Sequence, residues 1–430
     1  MLGRNQITRA KEVYREYPRQ FWVVVGASFI DHIGGALLFP FFALYVTQKF
    51  DVGMTEVGIL FAIFSGSQFF GSMMGGALTD HIGRKSVIIM GLIISALTSL
   101  GMGLVNRIEL FYLMAVITGV FADMAGPAHQ AMLTDLLPEK KRADGFGLMR
   151  VAMNLSVAIG PAIGGFLAAR SYMMLFAADA ITSIITAVLF YRLVDETRPQ
   201  TVEKAIDEPK AGLADSFRGY LDVLRDRAFI VFMMMSMLVT IIYVQMFGAL
   251  PIFLRDVHGL PESGFGIIMS LNAILVVFFQ FAITRRMGDA KPMLMMALGA
   301  FVYAIGFVMY AFFDQFAMFM LAMVIITIGE MIVTPIAQAL VAKFSPEDMR
   351  GRYMAVFGIS WLIPGGLGPL LAGVIMDNGD PRWVWYAAGI LGLVATFGFL
   401  FLNRHVERDD PSESPREIEP VPAIVSKELA

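Results

Sequence analysis

The chain has 430 residues, 57% of them hydrophobic and only 16% charged, with a mean hydropathy of +0.68. A soluble protein carries about a quarter of its residues as charges, so this composition excludes an ordinary water-soluble globule and points to lipid as the main solvent. The formal net charge of −3 says little about partners, while the absence of cysteine excludes disulfides, thiolate catalysis and Cys-ligated metals.

Apolar runs of about eighteen residues or more predict membrane-spanning helices. Twelve are read in chain order, at 21–47, 56–77, 86–105, 109–133, 144–170, 172–192, 228–256, 263–285, 291–312, 315–342, 349–377 and 382–404. The short alternating segments of a β-barrel do not occur. Polar stripes at helical spacing are also missing from runs such as "SVIIMGLIISALTSLGMGLV". The first run is too long for a signal peptide and has no small-residue cleavage pattern, so none is expected.

Lysine and arginine set the expected orientation. The N-terminal arm, alternate loops and the C-terminal tail hold 27 of the 33 basic residues. The opposite loops hold Lys49, Arg107, Arg170, Arg255 and Arg382, and Arg150 lies inside a span. Both termini are therefore expected in the cytoplasm.

A shift of 208 residues aligns the chain with itself. Pro127 and Gln130 fall on Pro335 and Gln338, and Pro138, Glu139 and Arg142 on Pro346, Glu347 and Arg350. Gly160, Pro161 and Gly165 fall on Gly368, Pro369 and Gly373. The expected organisation is thus a six-helix half over 1–192, a linker over 193–227, a second six-helix half over 228–404 and a tail over 405–430. In the linker, Leu213, Phe217, Leu221 and Leu224 stand at helical spacing, as in a helix lying on the membrane surface. The tail is acidic and Pro-rich, a composition that predicts disorder. Two parallel six-helix repeats around a central path form a transporter plan.

Between the second and third runs, "GGALTDHIGRKS" gathers Asp80, His81, Arg84 and Lys85 between Gly76 and Gly83. Read alone, Arg84 and Lys85 are a positive-inside signal. The whole spacing suggests a latch, in which a carboxylate meets a cation or a helix N-terminus in one conformation only. With twelve spans and a two-half repeat, this pattern resembles the major facilitator superfamily, whose signature in this loop is G-x3-D-x2-G-R-K/R. The resemblance covers the whole chain. It implies that Gly76, Asp80, Gly83, Arg84 and Lys85 form a cytoplasmic gate, bracing the second span against the eleventh in the outward-open state. Ser345, Pro346 and Asp348 are read as the cap that starts the eleventh helix. The second-half copy, "TRRMGDAKP", keeps only charge and Gly288.

In the fifth span, "GLMRVAMNLSVAIGPAIGG" carries Gly147, Gly160, Pro161, Gly164 and Gly165. This is similar to the antiporter motif of drug:proton antiporters, with Ser156 in place of one glycine. Small residues permit close helix packing, and Pro161 permits a bend. The same branch has an arginine in the fourth span where this chain has Ala115. Arg150 is therefore the candidate base that tunes a nearby acid.

Four carboxylates fall within spans: Asp31, Asp123, Asp179 and Glu330. A charge at the bilayer centre costs about 2.5–3.5 kcal/mol on insertion scales, which makes such residues functional candidates. At a rise of about 1.5 Å per residue, Asp31, Asp123 and Glu330 lie near mid-depth and Asp179 nearer the outer end. The first- and tenth-span acids resemble the proton and substrate sites of multidrug members of the superfamily. Asp31, Glu330, Asp123 and Arg150 are thus the proton-coupling candidates. Asp123 also has a structural reading, paired with Arg150 or a hydroxyl, and Asp179 one as a helix–helix hydrogen-bonding group. His32, Asn154, Tyr243, Gln245 and Asn272 are the substrate-pocket candidates. No metal site is expected, because none of the five histidines pairs at ligand spacing.

The resulting expectation is an all-α integral membrane protein of twelve helices in two pseudo-symmetric halves. Under the resemblance it exports lipophilic or amphipathic compounds, as in multidrug efflux, by proton antiport with alternating access. One charge crossing 100 mV is worth about 2.3 kcal/mol and one pH unit about 1.4 kcal/mol, together enough for a roughly 500-fold gradient. No Walker motif is present, so the proton gradient is the expected energy source and no cofactor is expected. The expected partners are a lipophilic small molecule, protons and the bilayer of the cell inner (plasma) membrane, with the protein monomeric and no nucleic acid involved. The alternatives are a dedicated proton-coupled exporter of one metabolite or lipid, an inward symporter, and a non-transporting receptor or scaffold. An enzyme is not expected, since no nucleophile–base pair or metal cluster is evident.

Overall fold

A computed structural model describes residues 14–198, 221–287, 290–346 and 349–406. Twelve helices among them are long and apolar enough to cross a membrane. In chain order they are α1 (Arg19–Phe50), α2 (Met54–Ile82), α3 (Arg84–Leu104), α4 (Ile108–Leu136), α5 (Glu139–Ala168) and α6 (Tyr172–Leu193). The second set is α7 (Arg227–His258), α8 (Glu262–Arg286), α9 (Pro292–Phe312), α10 (Phe316–Phe344), α11 (Arg350–Asn378) and α12 (Trp383–Val406). In lipid every backbone amide must be satisfied within the chain, which is why uniformly apolar runs become helices.

The packing repeats with the sequence. In the first half α1 packs on α5 and α6, α4 on α2 and α3, and α3 on α6. In the second, α7 packs on α11 and α12, α10 on α8 and α9, and α9 on α12. Two helices depart from single rods. α1 is broken by a 3-10 turn over Phe39–Phe41, where Pro40 has no N–H to give. α7 is broken over 245–248, close to the place 208 residues on.

The halves meet through α2 against α11 and α5 against α8. This seam is tight at the face opposite the basic loops. There the Asp377 carboxylate of α11 accepts hydrogen bonds from Met54 N (2.9 Å) and Thr55 N (2.7 Å), the first amides of α2. Tyr172 donates to Glu262 (3.0 Å), and Arg255 donates to Thr47 Oγ1 (3.0 Å). A side chain at Gly58 or Gly373 would collide with the backbone of the facing helix. Toward the basic face, by contrast, Gly66 and Gly76 of α2 and Gly351 and Gly358 of α11 face open space. The halves are therefore closed at one face and parted at the other.

Asp377→Ala should loosen the closed face. Loss of a helix-capping carboxylate costs about 1 kcal/mol, or roughly fivefold in the balance of open and closed seams. Distances between spin labels at the outer ends of α2 and α11 should lengthen in a growing fraction of molecules. An unchanged distance distribution would remove Asp377 from the account of closure.

Two expected features differ. α11 begins at Arg350 with Met349 at its N-cap and no side-chain cap, while the Ser345 hydroxyl donates back to Ala342 O. The expected cap of Ser345 and Pro346 is thus corrected, because Ser345 completes α10 instead; Asp348 lies outside the described residues, as does Gly288. Most of the linker helix expected around Leu213 and Phe217, and the tail from 407 onward, also lie outside them. The described end of the linker, 221–225, is helical, with Val223 buried and Leu221 and Leu224 exposed.

Candidate functional site

The charged loop is tied down within its own half. Gly83 adopts φ +98°, a conformation that favours glycine, and lets α3 start immediately after α2. The Glu196 carboxylate then sits at the start of α3, accepting from Arg84 N (2.8 Å) and Lys85 N (3.1 Å), where the positive end of the helix favours an anion. Buried Arg84 pairs with Asp135 at the end of α4 (3.1 Å) and donates to Thr79 O, while Lys85 donates to Tyr191 O and lies over that ring. These described bonds run to α2, α4, α6 and the segment after α6, and none of them reaches α11. The side chain of Asp80 lies outside the described residues, and Gly76 faces open space.

The glycines of α5 form two contact strips. A side chain at Gly160 would collide with Ala36 of α1, and one at Gly164 would press on Leu37 O and the Phe41 ring. Gly165 meets Gly266 of α8 across the seam, so closely that a Cβ there would lie 3.2 Å from Gly266 Cα. Pro161 lies inside the helix and brings its carbonyl against Gly266. Ser156 uses its hydroxyl to bind Phe29 O of α1 (3.0 Å), so the departure from glycine is itself a packing contact. A Cβ at Gly147 would enter open space. The second half repeats the scheme, with Gly368 against Val244 and Gln245 of α7 and Gly373 against Met54 of α2.

Between the halves, along α2 and α11, lies a cavity of about 770 Å³. Phe39, Phe42, Phe61, Phe64, Phe69, Phe247 and Trp361 supply much of its wall. Its polar lining is Ser65, Gln68 and Ser72 of α2, Ser95 and Ser99 of α3, Thr118 and Asp123 of α4, and Asp179 of α6. α7 and α11 contribute only apolar side chains and glycine. The lining extends from the closed seam, at Pro369, to Ser72 and Ala355 on the basic side.

Glu330 of α10 stands in the second half beside this cavity. It accepts from Tyr243 of α7 (3.1 Å) and from Asn272 of α8 (2.7 Å), and Asn272 also donates to Thr327 (3.0 Å). Trp361 lines the cavity and stacks edge-on against Tyr243 at 5.7 Å between centroids. A carboxylate with two aimed donors can hold a charge or a proton, and its partner Tyr243 adjoins a wall of the cavity. In the first half, Ser183 of α6 donates to Asp31 (2.8 Å). One turn earlier on α6, Asp179 packs against Gly34 of α1 and reaches the cavity.

The structure brings Tyr243, Asn272 and Glu330 together as one cluster and puts Asp123 in the cavity wall. It does not place the other candidates there. Arg150 is exposed and donates to Gln338 of α10 (2.9 Å), bridging the halves. Its side chain spans to the facing half, and no described bond joins it to Asp123. Asn154 is exposed one turn further along α5. His32 is occupied by Ser28 O (2.8 Å), and Gln245 is buried against α11 with its Nε2 on Ile241 O. His32, Asn154, Gln245 and Asn272 do not line the main cavity. Ala115, in place of the branch's arginine, is fully buried. Among the described residues no His, Asp or Glu cluster is arranged to hold a metal ion. Asp135, Glu196 and Trp361 were missed, although a carboxylate beside each basic loop would have been a signal for the first two.

A model of the Major Facilitator Superfamily matches residues 24–369 and 286–429. The chain is 26% identical over 425 residues to a Na(+), Li(+), K(+)/H(+) antiporter of Planococcus maritimus, covering 90% of this chain and 96% of that one. It is 29% identical over 185 residues to the quinolone resistance protein NorA of Staphylococcus aureus, covering 43% of this chain and 47% of that one. A crystal structure of a nucleoside transporter superposes with a TM-score of 0.74 at 15% identity, over 89% of this chain and all of that one, a likeness of fold.

Proposed function

Because this chain belongs to the major facilitator superfamily of membrane transporters, we propose that it exports lipophilic or amphipathic compounds in exchange for protons. The observation that carries this reading is the large aromatic-walled cavity between the halves, closed at one face and adjoining the Glu330 cluster. With the basic face taken as cytoplasmic, substrate enters from the cytoplasm or inner leaflet while the central acids are ionised. The halves then rock, the seam at the outer face opens, and protons from outside bind Asp31 or Glu330 and displace the substrate. Asp80 and its basic neighbours latch the cytoplasmic face in that outward-open state. In the parted arrangement seen here, the described bonds of Arg84 to Asp135 and of Lys85 to Tyr191 lie within their own half. The protein works as a monomer in the plasma membrane, with both termini cytoplasmic.

Exchange of a monovalent metal cation for protons, the activity named for the Planococcus relative, is the second reading. Aromatic walls favour the organic substrate. Purified protein in liposomes carrying an internal pH dye separates them. Lipophilic cations, neutral drugs and lysolipids should move protons, and sodium, lithium and potassium should not. Proton movement with the metal ions alone would favour the second reading.

A further inference from the structure

The cavity is chemically two-sided. Its acidic, hydroxyl and amide side chains all come from α2, α3, α4 and α6, and the facing wall from α7 and α11 carries aliphatic side chains, glycine and the rings of Phe247 and Trp361. Asp179 is nine-tenths buried, yet it lines this cavity, and no ion pair to a described residue engages either it or Asp123. A carboxylate in an apolar site is favoured by an opposite charge within a few ångströms. Among the described residues none pairs with Asp179 as an opposite charge, and the carboxylate lies in the lining of the cavity.

Resting on the export reading above, we propose that Asp179 is the specificity-determining residue of the cavity. It anchors the cationic head of an amphiphile whose apolar body lies against Phe247, Trp361 and Leu362. The placement of the parts supports a division of labour. Gly34 of α1 leaves the space that Thr182 and Asp179 occupy, and Ser99 on α3 hydrogen-bonds Asp179 and lines the same pocket. Asp31 is bonded by Ser183 and Glu330 by Tyr243 and Asn272, and neither of these two proton-coupling acids lines the cavity. Asp179 also keeps one hydrogen bond, from Ser99, but unlike Asp31 and Glu330 it lines the cavity, so charge recognition falls to it. Phe39 and Phe64 belong to the same lining, and an aromatic face within about 6 Å of the head group adds cation–π attraction.

The test compares two ligands of similar shape and different charge, tetraphenylphosphonium and triphenylphosphine oxide. Their binding to the full chain in lipid nanodiscs would be measured by equilibrium dialysis. Wild type should bind the cation at least about tenfold tighter than the neutral compound, the scale of one ion pair at a partly desolvated site. Asp179→Asn should lose about tenfold for the cation and keep its affinity for the oxide, and Asp179→Glu should restore the preference. Retained binding of the oxide guards against misfolding. A preference that survives Asp179→Asn, an equal loss for both ligands, or no preference in wild type would each overturn the assignment. The outcomes are distinct from those for the export reading. Charge-selective binding without proton movement would sink antiport and leave Asp179 standing. Proton-coupled export of neutral compounds alone would do the reverse.

Discussion

Glu330→Gln should reduce substrate-driven proton movement in liposomes to the level of protein-free vesicles. The amide has the shape of the carboxylate and keeps an acceptor for Asn272, while the Tyr243 hydroxyl can rotate to accept from the new N–H. The fold should therefore persist, with substrate still bound in the cavity. What is lost is the exchangeable proton, the one property an amide cannot reproduce. Glu330 carries this prediction because Tyr243 joins it to Trp361 in the cavity wall, giving substrate a physical route to the acid. Unchanged proton movement in a well-folded Glu330→Gln protein would exclude Glu330 as the carrier and leave Asp31, held by Ser183, as the remaining candidate of the pair.

Gly165→Leu should abolish transport by a different route. At this point α5 and α8 approach until a Cβ would lie 3.2 Å from Gly266 Cα and 3.3 Å from Glu262 O. Backbone, unlike a flexible side chain, cannot give way. Overpacking costs about 1–3 kcal/mol, which falls on the closed arrangement of this face and shifts the balance away from it roughly 5- to 150-fold. Labels across the α5–α8 seam should report a wider separation, and substrate offered from the basic side should no longer gain access. Gly147→Leu is the matched control, because nothing lies near that glycine. Transport at the wild-type rate in Gly165→Leu would show that the close approach is dispensable.

Much of the fold was legible because one physical rule dominates it. A backbone in lipid must satisfy its own hydrogen bonds, so apolar runs mark helices, and all twelve expected runs coincide with the observed ones to within a few residues. The 208-residue shift was equally informative, since Gly160 and Gly368 meet α1 and α7, and Gly165 and Gly373 meet α8 and α2, at related places. The cavity was less legible. Nearly uniform apolar helices carry no polar stripe to say which face turns inward. Sequence alone therefore offers Asn154 for the pocket and Asp179 for a helix–helix contact, whereas packing puts the first on an exposed face and the second in the cavity. Tyr243, Asn272 and Glu330 could be named singly, but their convergence depends on how α7, α8 and α10 pack. The reach of Arg150 across the seam to Gln338 could not be read from its own half, since it depends on the other one.

The most direct measurement is of uphill movement. Purified protein would be reconstituted in liposomes, with tetraphenylphosphonium at equal concentration on both sides and the membrane voltage clamped with potassium and valinomycin. A pH step of one unit would then be imposed. The account predicts that the cation accumulates in the more acidic compartment, that collapsing the pH step releases it, and that Glu330→Gln shows no accumulation. Equal concentrations maintained in wild type across the pH step, with the cation nonetheless exchanging between compartments, would contradict proton antiport and leave a passive carrier.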